Sequence, residues 1–515
     1  MTVASLLARF IGFVYRLPLT NMIGDEGNGI YSSAYYIYTF FLVLSSAGLP
    51  AAISKMVSER VAKGRHNDAY KVFRIALISA TVLGCVCFAA LYFGADSISR
   101  LIQQPRSYYS IMTLSPTVLI VAIIAVFRGY FQGVGNVAPS AVSQVVDQVF
   151  NAVFSVLCAH LLMKAVSNDP VALGAAGGTL GTGIGALAGL AFIVFMFYLA
   201  YPAIRQSRAA DRHKGTEPGS KITGELFATA VPIILGTAVF AITNLIDAVM
   251  IMGRLTNGAG FAEKTATDLY GQVTGKYVVL TTLPISISTA FAAAAIPSIA
   301  ASRVKGDYEN VKRKINSAIR LTMLFTIPAA VGLGVLGPQI IELLFPNVPG
   351  GGELLSIGAV SIIFLSLTQI TTGMLQSIGK VRIPVIAAVF GALVKIPFNY
   401  FLIAIPSINV KGAVISTIAC YIVASGIDWM MLCRITKLKP DYKGILIKPL
   451  FSALLMGFSV YVSYYLSFFA LGRNSVSVLV SVVFGIGVYF AFMAFTNGLN
   501  SEDVRQIPLV RRLLK

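Results

Sequence analysis

Residue types that build catalytic and metal centres are scarce in this chain. Three histidines, five cysteines and one tryptophan are spread over 515 residues, and only 12% of the side chains are charged. His66, His160 and His213 lack metal-ligand spacing. Cys85, Cys87, Cys158, Cys420 and Cys433 lie in apolar stretches, as small buried hydrophobes do. Neither a zinc site nor a disulfide framework is expected. No Walker A lysine motif is present, which excludes direct nucleotide drive. No nucleophile–base or paired-carboxylate set survives inspection, so the chain reads as a non-enzyme without cofactor or metal. A cleavable leader is missing too, because Met1 runs into an apolar helix carrying Arg9 and Arg16, with no small-residue cleavage site. Hydrophobicity takes the place of all these: 56% of residues are hydrophobic and the mean hydropathy is +0.79. Soluble domains run at roughly 45–50% apolar and about 25% charged. A soluble enzyme is excluded, and the net charge of +19 points to a membrane topology signal, with no nucleic-acid partner.

A membrane-spanning helix needs about 20 mostly apolar residues. Breaks at charge clusters and Gly/Pro/Asn turns give an all-α polytopic membrane protein with fourteen spans: 3–22, 30–58, 72–94, 108–132, 139–163, 172–201, 223–252, 271–301, 315–338, 353–378, 383–405, 412–433, 448–470 and 476–497. Apolar runs this long, without hairpin turns, are not strands. With the first residue inside, 26 of the 40 basic residues fall in cytoplasmic loops, at cytoplasmic helix ends or in the tail. The basic loops are 59–71, 202–222, 302–314 and 434–448, and the tail adds Arg505, Arg511, Arg512 and Lys515. Only seven (Arg100, Arg106, Lys164, Arg254, Lys264, Lys411, Arg473) fall outside. Both termini are therefore expected in the cytoplasm.

Three short motifs recur in register. Arg60-Val-Ala-Lys-Gly64 pairs with Arg303-Val-Lys-Gly306. Gly129-Tyr-Phe-Gln132 and its Gly135 pair with Gly373-Met-Leu-Gln376 and Gly379, and Gly174-Ala175 and Thr179 pair with Gly412-Ala413 and Thr417. Their near-constant offset and shared order imply two parallel six-helix repeats followed by two further helices. Six is even, so the copies are related about the membrane normal, and the substrate site is expected between them near the midplane. The resulting division is a first lobe, 1–201, a cytoplasmic linker, 202–222, a second lobe, 223–433, and the last two helices with the tail, 434–515.

An ionisable residue inside a span costs about 2.5–3.5 kcal/mol on insertion scales and marks function by default. Arg9 and Arg16, two turns apart, share one face of the first helix; either they line a path or each snorkels to its own membrane surface. Gln144, Asp147, Gln148 and Asn151 form a polar stripe at i, i+3, i+4 and i+7, which suits a hydrated cavity wall or interhelical hydrogen bonding. Lys276 opens the eighth span, Asn244 and Asp247 sit on the seventh, and Lys395 and Asn399 on the eleventh. Lys55 lies near the cytoplasmic end of the second, where it reads as snorkelling. Glu225 and Asp428 are assigned to the membrane interface. The interior is net cationic, which suits an anionic or phosphate-bearing solute. Pro18, Gly48, Pro50, Pro284 and Pro297 are the expected bending points.

Several segments resemble the bacterial lipid II flippases and their stage V sporulation protein B relatives. They are Ala8-Arg9-Phe-Ile-Gly12-Phe13-Val-Tyr-Arg16, Gly24-Asp25-Glu26-Gly27-Asn-Gly29-Ile-Tyr31, Gly48-Leu49-Pro50 to Lys55, and Arg128-Gly129-Tyr-Phe-Gln132 with Asp147-Gln148. Leu283-Pro284 and Ala295-Ile-Pro297 continue the pattern. The resemblance implies the multidrug/oligosaccharidyl-lipid/polysaccharide exporter superfamily: two six-helix lobes around a cationic cavity, with a lipid-tail groove at helices 13 and 14. By position, Arg9 resembles the first-helix cavity arginine, Arg16 a second charged cavity residue, and Lys276 lies near an eighth-helix arginine. Sodium-binding relatives use positions that Asp247, Asn399 and Thr417 match, while Lys395 stands where another ligand belongs and would pair with Asp247 in its place.

The resulting expectation is an alternating-access flippase in the bacterial cytoplasmic membrane that carries an undecaprenyl-pyrophosphate-linked cell-wall precursor outward. Arg9, Arg16, Lys55, Gln144, Asp147, Gln148, Asn151 and Lys276 would serve the headgroup. Asp247, Lys395, Asn399 and Thr417 would serve coupling to the membrane potential, Na+ or H+. Expected partners are the lipid-linked sugar precursor, membrane lipids, and cell-wall or sporulation machinery. The rivals are export of another lipid-linked oligosaccharide, a cation-coupled drug antiporter, and a non-transporting scaffold.

Overall fold

The computed structural model describes residues 2–165, 169–211, 217–438, 440–496 and 498, and every regular element among them is helical. Arg212, His213, Lys214, Gly215, Lys439 and the basic tail of the topology count lie outside the described residues. Among the described residues twelve helical segments are long and apolar enough to cross a membrane, or thirteen when a pair bent by 48° counts as one span. The protein is a multi-pass membrane protein.

Two compact units divide the chain, Met1–Gly271 and Gln272–Lys515. The first holds α1 (Thr2–Ser46), α2 (Leu49–Ala62), α3 (His66–Leu101), α4 (Tyr108–Gly133), α5 (Ala138–Ala165), α6 (Pro170–Ala209), α7 (Gly219–Gly253) and α8 (Glu263–Gln272). The linker expected over 202–222 is shorter than read, since α6 continues to Ala209 and α7 begins at Gly219. By packing, α7 joins this unit, lying against α1, α2 and α3.

Small residues let the helices of this unit approach closely. At Gly181 an added Cβ would lie 2.2 Å from the Ser155 backbone nitrogen, and at Gly177 2.6 Å from Ala159. Glycine-rich α6 is thereby pressed against α5, the small-residue packing by which membrane helices associate without a hydrophobic driving force. An aromatic core of Phe73, Phe127, Tyr130 and Phe197 joins α3, α4 and α6.

The second unit holds α9 (Val278–Val304), α10 (Tyr308–Val335), α11 (Gly337–Leu344), α12 (Gly352–Gly358), α13 (Ser361–Ser377), α14 (Arg382–Leu402), α15 (Lys411–Thr436), α16 (Lys448–Leu471) and α17 (Asn474–Phe495). Its core runs along α10 and takes in Ile315, Leu324, Ile370, Met374, Met456 and Tyr489. The bent pair is α12 and α13.

The recurring motifs end helices in the same way. Gly64 and Gly306 have φ near +72° and +73°, Gly135 and Gly379 +84° and +74°. In each, the glycine N–H donates three residues back and the next N–H five back, as in Gly64 to Val61 and Arg65 to Arg60, or Gly379 to Gln376 and Lys380 to Leu375. These are Schellman caps, whose left-handed residue disfavours any Cβ. Each unit thus carries the same two caps, in the same order, at the positions the sequence repeat marks.

Candidate functional site

The site begins at a break in α1. Gly24 has φ +73° and ψ −177°, outside helical geometry, so the apolar segment bends there and not at Pro18, which stays inside the helix. Asn28 caps the break by donating to the Gly24 carbonyl at 2.8 Å, and Thr20 reaches Asn28 at 3.3 Å. On a straight helix Arg16 and Tyr31 would be about 22 Å apart along the axis, beyond the combined reach of both side chains. The bend instead sets the Arg16 guanidinium 4.3 Å from the Tyr31 ring centroid, with Tyr35 at 5.6 Å and Tyr15 at 6.0 Å. Among the described residues no carboxylate pairs with Arg16. Its charge is held by the tyrosine ring faces and a hydrogen bond to Tyr15, and its planar fork is of the kind that suits phosphate oxygens.

The polar stripe of α5 faces protein. Gln144 accepts from Ser5 of α1 at 3.2 Å, and Gln148 Oε1 would lie 3.6 Å from a Cβ at Gly12. Asp147 stands 3.8 Å from Arg128, whose Nε donates to Ser143 at 2.9 Å. Asn151 is buried and accepts from Ser155 at 2.8 Å and Thr182 at 3.4 Å. The stripe therefore divides: Gln144 and Gln148 lie along the Arg9–Arg16 helix, while Asn151 ties α5 to α6.

The remaining candidate cations are placed differently. Arg9 is exposed. Lys55 is exposed as well and faces Glu59 at 4.0 Å. Lys276 lies in a π-type turn of the second unit, fully buried; its ammonium donates to the carbonyls of Val348 and, at 2.8 Å, Gly350. Its charge holds the 345–350 loop, with Phe345 5.8 Å away.

Of the coupling candidates, half-buried Asp247 belongs to the first unit, within electrostatic reach of Tyr270. Lys395 and Asn399 are buried on α14, and Ser416 of α15 donates to Asn399. Thr417 turns its hydroxyl back to Ala413 at 2.8 Å.

Several charged groupings escape sequence reasoning because their members are far apart in the chain. Arg60, counted only as a topology marker, is buried and bridges Glu217 at 2.6 Å and Glu225 at 2.7 Å. Arg65 joins Glu217 at 2.8 Å, and Lys71 donates to its carbonyl. Glu225, assigned above to the interface, belongs to this latch. Burial pushes the Glu217 carboxyl up, but the Arg60 hydrogen bond and the charges of Arg60, Arg65 and Lys221 outweigh it and hold it below its ordinary value. Arg106 similarly gathers Glu26 and Asp169; its hydrogen bond is the chief reason the Asp169 carboxyl sits low. Asp428 is fully buried, with Thr372 donating at 3.0 Å and its other oxygen without a hydrogen bond among the described residues. It lies inside the packed helices of the second unit.

A family profile described as "Polysaccharide biosynthesis protein" matches residues 1–303, and one described as "MatE" matches 274–401. The chain is 28% identical to the lipid II flippase MurJ of Bacillus subtilis (strain 168), over 84% of this chain and 81% of that protein. It is 24% identical to stage V sporulation protein B of the same organism, over 99% and 97%. Among solved structures, an inward-facing multidrug resistance MATE family transporter of the MOP superfamily superposes with TM-score 0.71 at 16% identity, covering 85% of this chain and 95% of that one. Lipid II flippase MurJ in an inward closed conformation gives 0.66 at 15% identity, covering 100% and 99%.

Proposed function

Since the chain belongs to the polysaccharide biosynthesis protein family and has the fold of MATE and MurJ transporters, we propose that it is a flippase for a pyrophosphate-linked polyprenyl sugar precursor of the lipid II type. The observation that carries this reading is Arg16, a guanidinium held by three tyrosines with no carboxylate among the described residues to neutralise it. Such a cation stabilises a phosphate oxygen through charge-assisted, bidentate hydrogen bonds. Arg9, two turns away on α1, offers the second phosphate a partner about 10 Å along the axis, with Gln148 beside Gly12 between them and Gln144 at Ser5, one turn before Arg9.

Counting the two arms of the first apolar segment, Ala4–Ala62, separately at Gly24 brings the spans to fourteen. The matching caps at Gly64/Gly306 and Gly135/Gly379 support a duplicated six-helix unit. Between α16 and α17 a cleft of about 570 Å³, lined by Phe458, Leu466 and Phe484, would take the polyprenyl tail. Both termini are placed in the cytoplasm on the distribution of Lys and Arg. An inside-negative potential then drives an anionic headgroup outward with about 2.3 kcal/mol per charge per 100 mV, and Asp247, Lys395, Asn399 and Thr417 are the candidates for any ion coupling.

Proteoliposomes carrying labelled lipid II test the reading. Wild-type protein should expose the label to an external quencher, and replacing Arg9 and Arg16 together by Ala should abolish this. Unchanged translocation in that variant would overturn the mechanism. A second reading, export of another lipid-linked oligosaccharide, is favoured by the match to the polysaccharide biosynthesis family; it predicts transport of a different labelled precursor with the same arginine dependence.

A further inference from the structure

A second cationic pocket lies in the first unit, away from the α1 bend. It is a cavity of about 280 Å³ where α2 and α4 end, α3 begins and the last turns of α6 run past; its lining includes His66, Tyr130, Asn136, Ile204, Ser207 and Arg208. Arg208 is fixed in place. Its guanidinium stacks on the Tyr70 ring at 4.0 Å, its Nε donates to Asn67 at 3.3 Å, and the Asn67 amide donates back to the Arg208 carbonyl at 3.2 Å. The two terminal amino groups make no hydrogen bond to a described residue. In the first turn of α3 the Asn67 N–H is already taken, donating to Asp211 at 2.9 Å, and Ser207 spends its proton on Ala203. Donors left for a ligand are therefore the Arg208 fork, the Asn136 amide and the His66 ring. The other walls are apolar.

The depth of this pocket is set by α6. Tyr198 and Tyr201 project outward at 74% and 39% exposure, about two turns before Arg208, and exposed tyrosines of membrane helices sit at headgroup level. A pocket at that depth with a fixed guanidinium fork and an apolar wall matches a lipid phosphate with the first carbons of its chains.

We infer that this pocket binds the phosphate headgroup of an anionic phospholipid, as a resident lipid separate from the transported substrate. Binding here stabilises the junction of α2, α3, α4 and α6, and the inference does not depend on what the protein transports.

Native mass spectrometry and thermal unfolding of the full-length protein test it, with phosphatidylglycerol or phosphatidylcholine added to the detergent. Phosphatidylglycerol should be retained and raise the unfolding temperature where phosphatidylcholine does not. Arg208→Gln should weaken that retention roughly tenfold, while Arg205→Gln, exposed on the same helix, should leave it unchanged. Because Arg208 also anchors Asn67 and Tyr70, Ala203→Trp provides an independent arm that fills the cavity and leaves those contacts alone; it should abolish retention too. Equal binding of both lipids, or full retention in both pocket variants, would overturn the inference. Stabilisation by inorganic phosphate equal to that by phosphatidylglycerol would identify a soluble phosphate and overturn the lipid assignment.

Discussion

The Arg16 guanidinium lies 4.3 Å from the Tyr31 ring centroid although fifteen residues of one apolar segment separate them. The bend at Gly24 creates this proximity, so the cationic centre and the backbone break are one device. A desolvated cation–π contact is worth about 2 kcal/mol, and three rings share this one. Arg16→Ala should therefore destabilise the protein by about 2 kcal/mol in detergent and abolish flipping. Arg16→Lys should fold but lose most transport, because an ammonium keeps the charge without the planar fork. Transport by Arg16→Lys at the wild-type rate would show that charge alone suffices.

Gly24 allows the cost of the bend to be isolated. At φ +73° and ψ −177° an added Cβ meets nothing within 4 Å, so Gly24→Ala introduces backbone strain alone, about 1–3 kcal/mol for an L-residue in a region that only glycine populates readily. If the segment straightens to relieve it, Arg16 leaves Tyr31. The variant should lose about that much stability and a larger share of transport, read as unfolding temperature against flipping rate. Loss of stability with full transport would separate the bend from function.

Sequence patterning made some of this architecture legible and hid the rest, for physical reasons. Long apolar runs, the basic loops and the paired helix ends at Gly64/Gly306 and Gly135/Gly379 are local signals, and they mark helices and caps where the structure has them. The α5 stripe was recognisable as protein-facing because four polar groups on one face cannot meet lipid. Its division between α1 and α6 was not, since periodicity gives a face and not a neighbour. Arg60 with Glu217, Arg106 with Asp169 and Lys276 with the Gly350 carbonyl join residues 157, 63 and 74 positions apart; nothing local announces such pairs. The burial of Asp428 was hidden, because closeness to a helix end says nothing of what packs over it. The break at Gly24 falls in the stretch between the first two expected spans, but only Gly24's own dihedrals leave the helix, so a single residue makes the bend where a longer turn is expected.

The Glu217 latch predicts an acid sensitivity with a defined sign. A carboxyl held below its ordinary value of about 4.3 stabilises the fold fully above that value and loses the contribution as pH falls through the lowered one. Thermal stability should therefore drop in the acid range below about pH 4.3, and Glu217→Gln should remove part of that slope. At neutral pH the variant should cost roughly 1–3 kcal/mol, the range for a lost hydrogen bond to a charged group, because Glu225 still holds Arg60. An unaltered acid limb in Glu217→Gln would show that other carboxyls set the sensitivity.

Two glycine-to-alanine changes should have opposite signs, which tests whether close helix approach or backbone entropy governs the first unit. At Gly181 a Cβ would stand 2.2 Å from the Ser155 nitrogen and 2.3 Å from its Cα. These are backbone atoms that cannot rotate away, so α5 and α6 must separate, with an overpacking cost of about 1–3 kcal/mol or more. The Ser155 hydrogen bond to the Gly178 carbonyl, 2.8 Å, would be stretched as well. Gly224 lies inside α7, exposed, with nothing within 4 Å of its Cβ position. There alanine removes unfolded-state freedom at no steric cost and should stabilise by about 0.5–1 kcal/mol. Thermal unfolding of both variants in one detergent should move the two temperatures in opposite directions. A Gly181→Ala protein as stable as wild type would mean that α5 and α6 are less tightly apposed than their backbones indicate.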